Sequence, residues 1–480
     1  MTHIPRIRKT KIVATIGPAC DSVETLIEMI RAGMNVARLN LSHGTHDEQS
    51  EKVKRIRQAS RELNTSIAIM VDTRGVEIRT GKLENRTVEL IIGDEFVLYT
   101  DERMGDIKGV SVSFPDIVEH VKPGENILID DGALELKALE IKPDAVRCEV
   151  IHGGILKENK SVNLPSTTLP MATASPEGRE DVLKEMNFAV ENDVEYIAAS
   201  FIQSADDIII MRQMLEDMGT CIPLIAKIEN KAGVNNLDSI VQAADGMMVA
   251  RGDMGVELPF GEVPIIQKRM IRTTVENGKP VITATQMLAS MEFNPKPTRA
   301  EASDVANAIL DGSSAVMLSG ETAAGLYPVE SVRTMADLAV KTEAWLEEYG
   351  YLQATKPNPS FQVTEAVAQG AVSMAKKLDA AAIFTLTMTG TTSRLVSKHR
   401  PVSLILAITE SRKVARRLAL NWGVLPILYS AEPSDEARIQ MAMLRARELG
   451  YVKNGDTIIV TAGQNQRAGG TDLIRVMTIE

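Results

Sequence analysis

The sequence predicts an α/β protein built on an eight-stranded (β/α)8 barrel, and three observations indicate this fold. Apolar runs of strand length alternate with amphipathic helical segments, which is typical of parallel strands joined by crossover helices. Three such strands precede residue 74 and five follow residue 166. Residues 1–73 and 167–343 together have about the length of a typical TIM barrel of ~250 residues.

The first units can be followed directly in the sequence. The strand K-I-V-A-T-I, which begins at Lys11, precedes a helix over 22–32, for which Asp21 is the predicted N-cap. The strand N-V-A-R-L-N-L-S precedes a charged helix over 46–63, and S-I-A-I-M-V-D-T is the third strand. The later strands are Y-I-A-A-S-F-I, P-L-I-A-K-I-E, G-M-M-V-A-R, P-V-I-T-A-T and A-V-M-L-S. Helices are predicted at 264–277, 302–310 and 328–348, and at 175–192 with Ser175 as N-cap and Pro176 in the first position.

Two further domains are predicted. Residues 74–166 contain short alternating runs rich in Val, Ile, Gly and Asp, which indicate an inserted β-rich domain, a small β-barrel that can act as a lid. Lys356-Pro-Asn-Pro indicates a linker, and four strands separated by helices then predict a C-terminal α/β domain over 356–480.

Composition narrows the classes of function. The 480 residues carry a net charge of −11 with acidic and basic residues interleaved, which argues against nucleic-acid binding. No apolar run approaches the roughly 18 residues of a membrane span, and the N-terminus lacks the apolar region of a secretory signal. Only three cysteines occur, far apart and without metal spacing, so a cytoplasmic protein without a disulfide scaffold or zinc site is expected.

The stretch P-L-I-A-K-I-E-N carries the first sign of chemistry. Lys227 and Glu229 are two residues apart on a strand, so they point to the same face, while apolar side chains take the other. Buried charges cost several kcal/mol unless they are paired or ligated. A buried ion pair that only stabilises the fold is one interpretation. The recurrence of polar groups at successive strand ends favours a functional site.

In a barrel of this kind the carboxyl ends of all strands meet at one face, where catalysis takes place. Reading those ends in order collects Arg38, Asn40, Ser42, Asp72, Thr73, Lys227, Glu229, Arg251, Gly252, Asp253, Thr285, Ser319 and Glu321. The central groups include no histidine or cysteine, so thiol chemistry and nucleophilic triads are disfavoured.

The remaining groups are hard oxygen ligands surrounded by cations. Glu229 and Asp253 suit Mg²⁺, which takes one or two protein carboxylates and completes its shell with water and substrate oxygens. Arg38 and Lys227 suit a phosphoryl group, because phosphoryl transfer depends on placement and charge neutralisation. Four oxygen-bearing residues can form a nest for a monovalent cation, although ordinary strand-end capping is the alternative: Asn40, Ser42, Asp72 and Thr73.

Two glycine-containing segments suggest backbone contacts with a ligand. Gly252, between Arg251 and Asp253, allows a ligand to approach backbone N–H groups closely. In the C-terminal domain, T-L-T-M-T-G-T-T-S-R at 385–394 places hydroxyls and a glycine before a helix. That pattern fits a phosphate nest, and simple helix capping by Thr391 or Thr392 is the alternative.

Several strings together resemble the pyruvate kinase family over essentially the whole chain. They include A-K-I-E-N at 226–230, M-V-A-R-G-D-M-G-V-E at 248–257, I-T-A-T-Q-M-L at 282–288, P-T-R-A-E at 297–301, D-V-A-N-A-I-L-D-G at 304–312 and M-L-S-G-E-T-A at 317–323. R-L-N-L-S-H-G at 38–44, D-T-R-G-V-E-I-R-T-G at 72–81 and K-S-V-N-L-P at 160–165 extend the resemblance.

The resemblance implies that phosphoenolpyruvate and ADP react to give pyruvate and ATP. It implies that Arg38 holds the substrate phosphate and that Lys227 stabilises the transferring phosphoryl group. Glu229 and Asp253 would bind Mg²⁺ or Mn²⁺, while Gly252, Asp253 and Thr285 would contact substrate, with Thr285 on the route that protonates the enolate. The K⁺ ligands implied are Asn40, Ser42, Asp72 and Thr73, and the nucleotide contacts are Asn40, His43, Arg79 and Lys160.

The resemblance also implies regulation and assembly. In that family a Glu at the position of Glu77 accompanies K⁺ dependence, so K⁺ is expected to be required. A phosphorylated sugar or nucleotide activator is expected at Thr387, Thr389, Gly390, Thr391, Thr392 and Ser393, and a homotetramer is implied. Three residues depart from the usual pattern without removing a proposed ligand, namely Arg74, Val76 and Ala232.

Two other classes of protein are alternatives to a pyruvate kinase. A metal-dependent barrel aldolase or lyase acting on phosphoenolpyruvate or pyruvate would share a Glu and an Asp at strand ends, but it does not account for the inserted lid or the third domain. A non-catalytic homologue would be expected to lack ligands, whereas all five central residues are present: Arg38, Lys227, Glu229, Asp253 and Thr285.

Overall fold

The computed structural model describes residues 7–75, 78–167, 176–350, 362–429, 434–463 and 470–480. The chain opens with β1 (Lys11–Thr15), α1 (Val23–Ala32), β2 (Val36–Asn40), α2 (His46–Glu62) and β3 (Ala68–Asp72). The N-cap of α1 is Ser22, whose side chain accepts a hydrogen bond from the Thr25 amide, so the prediction of Asp21 was wrong. Both residues are good cap types, and the position of the first helical turn decides between them.

The inserted domain is built from β4 (Ile78–Arg79), β5 (Thr87–Leu90), β6 (Glu95–Tyr99), β7 (Gly109–Ser111), α3 (Ile117–His120), β8 (Asn126–Ile129), β9 (Leu134–Lys142), β10 (Ala145–His152), β11 (Gly154–Lys157) and β12 (Ser161–Asn163). Seven strands form one sheet in the order β4-β12-β8-β9-β10-β6-β7, and β11 pairs with β5. A bridge between Thr80 and Val112 brings the two edges of the larger sheet together, which gives it the form of a small barrel. The inserted domain has a separate hydrophobic core, which includes Phe96 and Leu98.

The chain then returns to the α/β pattern with α4 (Pro176–Glu191), β13 (Tyr196–Ala199), α5 (Ala205–Asp217), β14 (Leu224–Ile228), α6 (Lys231–Asn235), α7 (Leu237–Ala243), β15 (Gly246–Ala250), α8 (Arg251–Glu257), α9 (Val263–Glu276), β16 (Val281–Ala284), α10 (Arg299–Leu310), β17 (Ala315–Leu318), α11 (Gly320–Ala323), α12 (Pro328–Glu343) and α13 (Leu346–Tyr349). Short 3-10 turns cover Phe260–Glu262 and Ala289–Glu292. The predicted cap Ser175 lies outside the described residues.

The eight strands of these two segments close into a barrel in the order β1-β17-β16-β15-β14-β13-β3-β2, which confirms the predicted fold. All neighbouring pairs are parallel, so every strand ends at the same face. Side chains alternate between a core inside the barrel, which includes Val13 and Met70, and a layer between the strands and the surrounding helices, which includes Ile12 and Val71. The strand ends therefore project from a rigid, filled core.

The C-terminal domain contains α14 (Gln362–Lys377), β18 (Ala382–Leu386), α15 (Thr391–Lys398), β19 (Leu404–Thr409), α16 (Arg412–Leu418), β20 (Val424–Leu428), α17 (Asp435–Glu448), β21 (Thr457–Ala462) and β22 (Leu473–Thr478). Its sheet has the order β20-β19-β18-β21-β22. The first four strands are parallel and were predicted, whereas the antiparallel edge strand β22 was not. The predicted linker at Lys356 lies outside the described residues.

This domain packs against the amino-terminal end of the barrel. Ala419 and Leu420, just after α16, join the core inside the barrel. The Tyr196 hydroxyl donates to the Arg417 carbonyl at 2.6 Å, and Lys11 Nζ donates to the Val424 carbonyl at 2.7 Å. The opposite end of the barrel, where the strand carboxyl ends lie, is left to the inserted domain. None of the helices in the described ranges is long and apolar enough to span a membrane.

Candidate active site

Lys227 lies near the carboxyl end of β14 and contacts Ser200, which lines the cleft between the barrel and the inserted domain. Its Nζ is 2.9 Å from Asp72 Oδ1, 2.9 Å from Glu229 Oε1 and 2.7 Å from Ser200 Oγ, so the ends of β3, β13 and β14 meet at this ammonium group. Burial alone would lower the pKa of Lys227, but the carboxylates of Asp72 and Glu229 outweigh burial and raise the pKa above its ordinary value. Lys227 therefore carries its charge before any ligand binds.

Arg38 supplies a second cation from β2, the neighbour of β3 in the barrel. Its Nε is 2.6 Å from Asp72 Oδ2, and its Nη1 donates to Thr15 Oγ1 at 3.0 Å. Asp72 is almost fully buried, and burial opposes its ionisation. The charges of Arg38 and Lys227 nevertheless hold the pKa of Asp72 below its usual value. One carboxylate thus fixes the positions of both cations.

Glu229 and Asp253 are the two carboxylates available to a divalent cation. Glu229 is buried, and its Oε2 accepts a hydrogen bond from the Phe201 amide at 2.6 Å. Asp253, in the first turn of α8, opens onto the cleft and is itself exposed. The surrounding protein atoms and the Glu229 charge raise the pKa of Asp253 to about 7, opposed by Lys227. The two carboxyls therefore disfavour each other's charge.

These two carboxylates fit Mg²⁺ or Mn²⁺. A divalent cation would offset the repulsion between Glu229 and Asp253. Within the described ranges, no group of three or more His, Cys, Asp and Glu side chains forms a protein-only metal cage. A site with two carboxylates is typical of Mg²⁺, whose other coordination positions are filled by water and substrate oxygens.

Thr285 sits in a strained backbone conformation at the end of β16. Its φ is +68°, which is rare for a β-branched residue, and Gln286 follows at +53°. The Thr285 hydroxyl accepts from the Gly252 amide at 2.8 Å and donates to the Ala284 carbonyl at 2.6 Å. The N–H of Gly252, in the first turn of α8, is thus bonded to Thr285.

The four residues expected to hold K⁺ lie at the ends of the paired strands β2 and β3, where Asn40 is the register partner of Asp72. Asn40 Oδ1 accepts from the Ser42 amide at 3.1 Å, a local cap of the kind weighed as the alternative. Thr73 Oγ1 accepts from the Ser200 amide at 3.1 Å and donates to the Ala198 carbonyl at 3.3 Å. The four residues therefore lie at neighbouring strand ends. The side-chain oxygens of Asn40 and Thr73 already accept hydrogen bonds from backbone amides there.

The residues expected to contact the nucleotide are divided between the lid and the barrel. Arg79 and Lys160 line a cavity of about 710 Å³ between the lid and the barrel, together with Thr73 and Asp253. Arg79 Nη1 donates to the Asn159 carbonyl at 2.9 Å, and Lys160 Nζ lies 2.7 Å from Asp130 Oδ1. His43 is exposed in the loop after β2.

Two departures from the family pattern are placed beside this cavity. Arg74 is held by its Nε, which donates to the Leu41 carbonyl at 2.7 Å, and by its amide, which donates to Glu185 Oε1 at 3.1 Å. Ala232, in α6, lines the cavity wall. The third departure, Val76, and Glu77 beside it lie outside the described residues.

In the C-terminal domain, the expected effector segment forms a tight turn at the start of α15. Gly390 has φ +84°, and its amide donates to Thr387 Oγ1 at 2.8 Å. Among the six expected effector residues, Ser393 and Thr392 turn their hydroxyls into the domain. The Ser393 hydroxyl bonds to that of Thr385, and the Thr392 hydroxyl bonds to that of Thr471. Thr389 and Thr391 remain near the surface, 3.0 Å apart through their hydroxyls.

Three further residues of the site were missed in the sequence. Ser200 follows β13 directly, so the rule that polar groups at the strand ends meet at one face applies to it as well. Asn163 and Glu257 form a contact between lid and barrel that no local pattern reveals. Conversely, two residues in the collected set make structural contacts, because Arg251 pairs with Asp304 and Glu321 caps the Leu288 and Ser319 amides.

A parallel barrel whose strand ends hold an ammonium, a guanidinium and two carboxylates beside an inserted lid has the groups that a phosphotransferase needs. A family model described as pyruvate kinase, barrel domain, matches residues 7–332, and one described as pyruvate kinase, alpha/beta domain, matches residues 365–477. The chain belongs to the pyruvate kinase family.

Individual relatives agree with this assignment. Pyruvate kinase of Geobacillus stearothermophilus is 45% identical over 476 residues, which cover 98% of this chain and 80% of the relative. Pyruvate kinase of Clostridium acetobutylicum is 42% identical over 477 residues, covering 99% of this chain and 100% of the relative. The crystal structure of a pyruvate kinase from Cryptosporidium parvum superposes with a TM-score of 0.92 at 38% identity, covering 98% of this chain and 96% of that one.

Proposed function

We propose that this enzyme transfers the phosphoryl group of phosphoenolpyruvate to ADP, giving pyruvate and ATP in the last step of glycolysis. The observation that carries the proposal is the position of Lys227, whose Nζ is held by Asp72, Glu229 and Ser200. Ser200 in turn lines the cavity of about 710 Å³ between the barrel and the inserted domain. Family membership supports the same reaction.

Lys227 and Arg38 supply the charge that phosphoryl transfer requires. The transferred group carries negative charge on three oxygens, and catalysis consists mainly of placing it and neutralising that charge. Arg38 binds the phosphate of phosphoenolpyruvate in the ground state, and Lys227 stabilises the group during transfer. Both cations are held by buried Asp72, so little reorganisation is needed when the substrate arrives.

Glu229 and Asp253 would hold the divalent cation, Mg²⁺ or Mn²⁺. When bound, the cation neutralises charge on the carboxylate and enolate oxygens of the substrate. Glu229 is held rigid by the Phe201 amide, and Asp253 faces the open cleft. Gly252 and Asp253 also contact the substrate from α8.

Asn40, Ser42, Asp72 and Thr73 would hold K⁺, and the enzyme is expected to require that ion. Their shared position at the ends of β2 and β3 supports this assignment, as does the presence of Glu77 in the sequence. A full rate in buffer free of K⁺ and Na⁺ would overturn it, whereas restoration of the rate by added KCl supports it.

The nucleotide and the enolate occupy opposite sides of the transferring group. Arg79 and Lys160 reach the phosphates of ADP from the lid, and Asn40 and His43 contact the nucleotide from the barrel. Thr285 lies on the route by which the enolate is protonated to pyruvate. The strained Thr285 backbone is consistent with a residue held for function.

Regulation and assembly follow the family. A phosphorylated sugar or nucleotide binds at Thr387, Thr389, Gly390, Thr391, Thr392 and Ser393 and activates the enzyme. The enzyme acts as a cytoplasmic homotetramer. Steady-state assays with a panel of sugar phosphates and AMP, together with light scattering, test these proposals.

The decisive experiment for the reaction is pyruvate formation measured through a lactate dehydrogenase coupling. Pyruvate formation that depends on both phosphoenolpyruvate and ADP, with one ATP made for each pyruvate, supports the proposal. Carbon–carbon bond cleavage without nucleotide would instead indicate a lyase. If the protein catalyses neither reaction, it is a non-catalytic homologue.

A further inference from the structure

A polar contact joins the last strand of the lid to the helix that carries Asp253. Asn163, the last residue of β12, donates from Nδ2 to Glu257 Oε1 at 2.9 Å. Glu257 is the last residue of α8, four residues after Asp253, so the two carboxylates lie on the same side of this short helix. A shift of the lid at Asn163 is therefore transmitted to the helix that positions Asp253.

Glu257 occupies a place that is unfavourable for a carboxylate in itself. An anion at the C-terminus of a helix is repelled by the exposed carbonyl groups of the last turn. Burial and the charge of Glu229 raise the pKa of Glu257, while the hydrogen bond from Asn163 opposes that shift. The contact with Asn163 thus stabilises a carboxylate that the rest of its surroundings disfavour, so α8 is best placed when the lid is in this position.

The other connection of the lid meets the barrel beside the second candidate metal ligand. Gly75 has φ +72°, and a Cβ built there would lie only 2.4 Å from Phe201 Cδ2. Phe201 has φ +56°, and its amide is the donor that holds Glu229 Oε2 at 2.6 Å. Gly75 and Asn163, near the two ends of the lid, therefore each lie against an element that holds one of the two carboxylates.

We propose that Glu257 is a positioning residue, and that its hydrogen bond with Asn163 couples closure of the lid to the placement of Asp253. The inference rests on the proposed role of Asp253 as a ligand of the divalent cation. Lid position and cation binding then favour each other, because each stabilises the same orientation of α8.

The test uses the full-length protein and three variants of the contact: Asn163→Ala, Glu257→Ala and their combination. The chain offers a matched control, because Asn126 Nδ2 donates to Glu135 Oε1 at 2.8 Å in a similar Asn–Glu pair wholly within the lid. Mn²⁺ affinity is measured without substrates by electron paramagnetic resonance, and hydrogen exchange is followed over residues 251–257. Neither readout depends on turnover, so failure of the inference is distinguishable from failure of the proposed reaction.

Each single variant should weaken Mn²⁺ binding at least about fivefold and speed exchange in α8, as expected for a typical coupling free energy. The double variant should be no weaker than the worse single variant, since both changes break one contact. Glu257→Gln keeps an acceptor oxygen and should retain most of the affinity, and Asn126→Ala should match the wild type.

Wild-type Mn²⁺ affinity and α8 exchange in Asn163→Ala and Glu257→Ala would overturn the inference. So would additive losses in the double variant, or a loss in Glu257→Gln equal to that in Glu257→Ala. Circular dichroism identifies any variant that fails to fold, and the Gln variant, which changes the fewest atoms, then decides the outcome.

Discussion

Lys227 Nζ lies 2.9 Å from Asp72 Oδ1, and this contact joins the fifth strand of the barrel to the third near their carboxyl ends. The other oxygen of Asp72 holds Arg38 at 2.6 Å. Because one buried carboxylate sets the positions of both cations, the charge that receives the phosphoryl group is in place before the substrate binds. Preorganisation of this kind is the main source of electrostatic stabilisation in enzymes.

Ser200 should contribute to turnover through its contact with Lys227. Its hydroxyl oxygen accepts from Nζ at 2.7 Å, and Ser200→Ala leaves that N–H without its partner. We expect kcat to fall roughly tenfold with a smaller change in KM for phosphoenolpyruvate, since a hydrogen bond to a charged group contributes about 1.5–3 kcal/mol. Steady-state kinetics of Ser200→Ala and the similarly sized Ser200→Cys test this. Unchanged kcat in the alanine variant would show that Ser200 does not position Lys227.

Glu185 should make stability depend on pH. Burial raises the pKa of Glu185 from 4.5 to about 7. Between these values the folded protein retains a proton that the unfolded chain has released, so the free energy of unfolding falls as pH rises towards and through 7. Glu185→Gln removes this term while keeping an acceptor for the Arg74 amide, and should stabilise the protein by up to about 3 kcal/mol more at pH 8 than at pH 5.

Denaturant unfolding at the two pH values measures that difference. Glu180→Gln is the control, because Glu180 lies on the same helix with its side chain exposed. A stabilisation by Glu185→Gln that is equal at pH 5 and pH 8 would contradict the assigned shift.

Glu195 should be required for the C-terminal domain to remain docked on the barrel. Its fully buried carboxylate lies 2.9 Å from Arg57 Nη2 and 2.5 Å from Nε of Arg416 in α16, and it accepts from the Ile69 amide. Glu195→Ala removes the buried carboxylate that Arg57, Arg416 and the Ile69 amide share, so the free energy of unfolding should fall by about 3–5 kcal/mol. Asp193→Ala removes a largely exposed ion pair with Arg416 and should cost less than about 1 kcal/mol.

Differential scanning calorimetry of the two variants distinguishes these outcomes. In Glu195→Ala we expect a lower midpoint, and separate transitions for the two domains if docking is lost. Equal midpoints in Glu195→Ala and Asp193→Ala would contradict the role given to the buried carboxylate.

The barrel was predictable from sequence because each strand is a buried apolar run of the right length, followed by a helix of clear periodicity. Lys227 and Glu229 stood out because charges at alternating positions of such a run are costly without a purpose. The exact ends of the helices were harder to predict, because several neighbouring residues can each serve as a helix cap. Helix α10 begins at Arg299, three residues before the predicted start, because Thr298 and Glu301 form a capping box.

Other features depended on tertiary contacts that leave no local pattern. Strand β22 was missed because it lies at the edge of its sheet, where Leu473 and Val476 are about half exposed and no clear alternation appears. The contact between Asn163 and Glu257 joins residues 94 positions apart, and only the folded chain brings them together. For the same reason, the sequence could not show that Asp72 would hold both Arg38 and Lys227.

The central claim is tested most directly by the turnover of Lys227→Met, which keeps the length of the side chain and removes the charge. Lys184→Met, at an exposed position on α4, is the matched control. We expect kcat of Lys227→Met to fall by about a thousandfold or more, while direct measurements of Mn²⁺ and phosphoenolpyruvate binding change far less. Turnover within a few-fold of the wild type in a folded Lys227→Met protein would contradict the account.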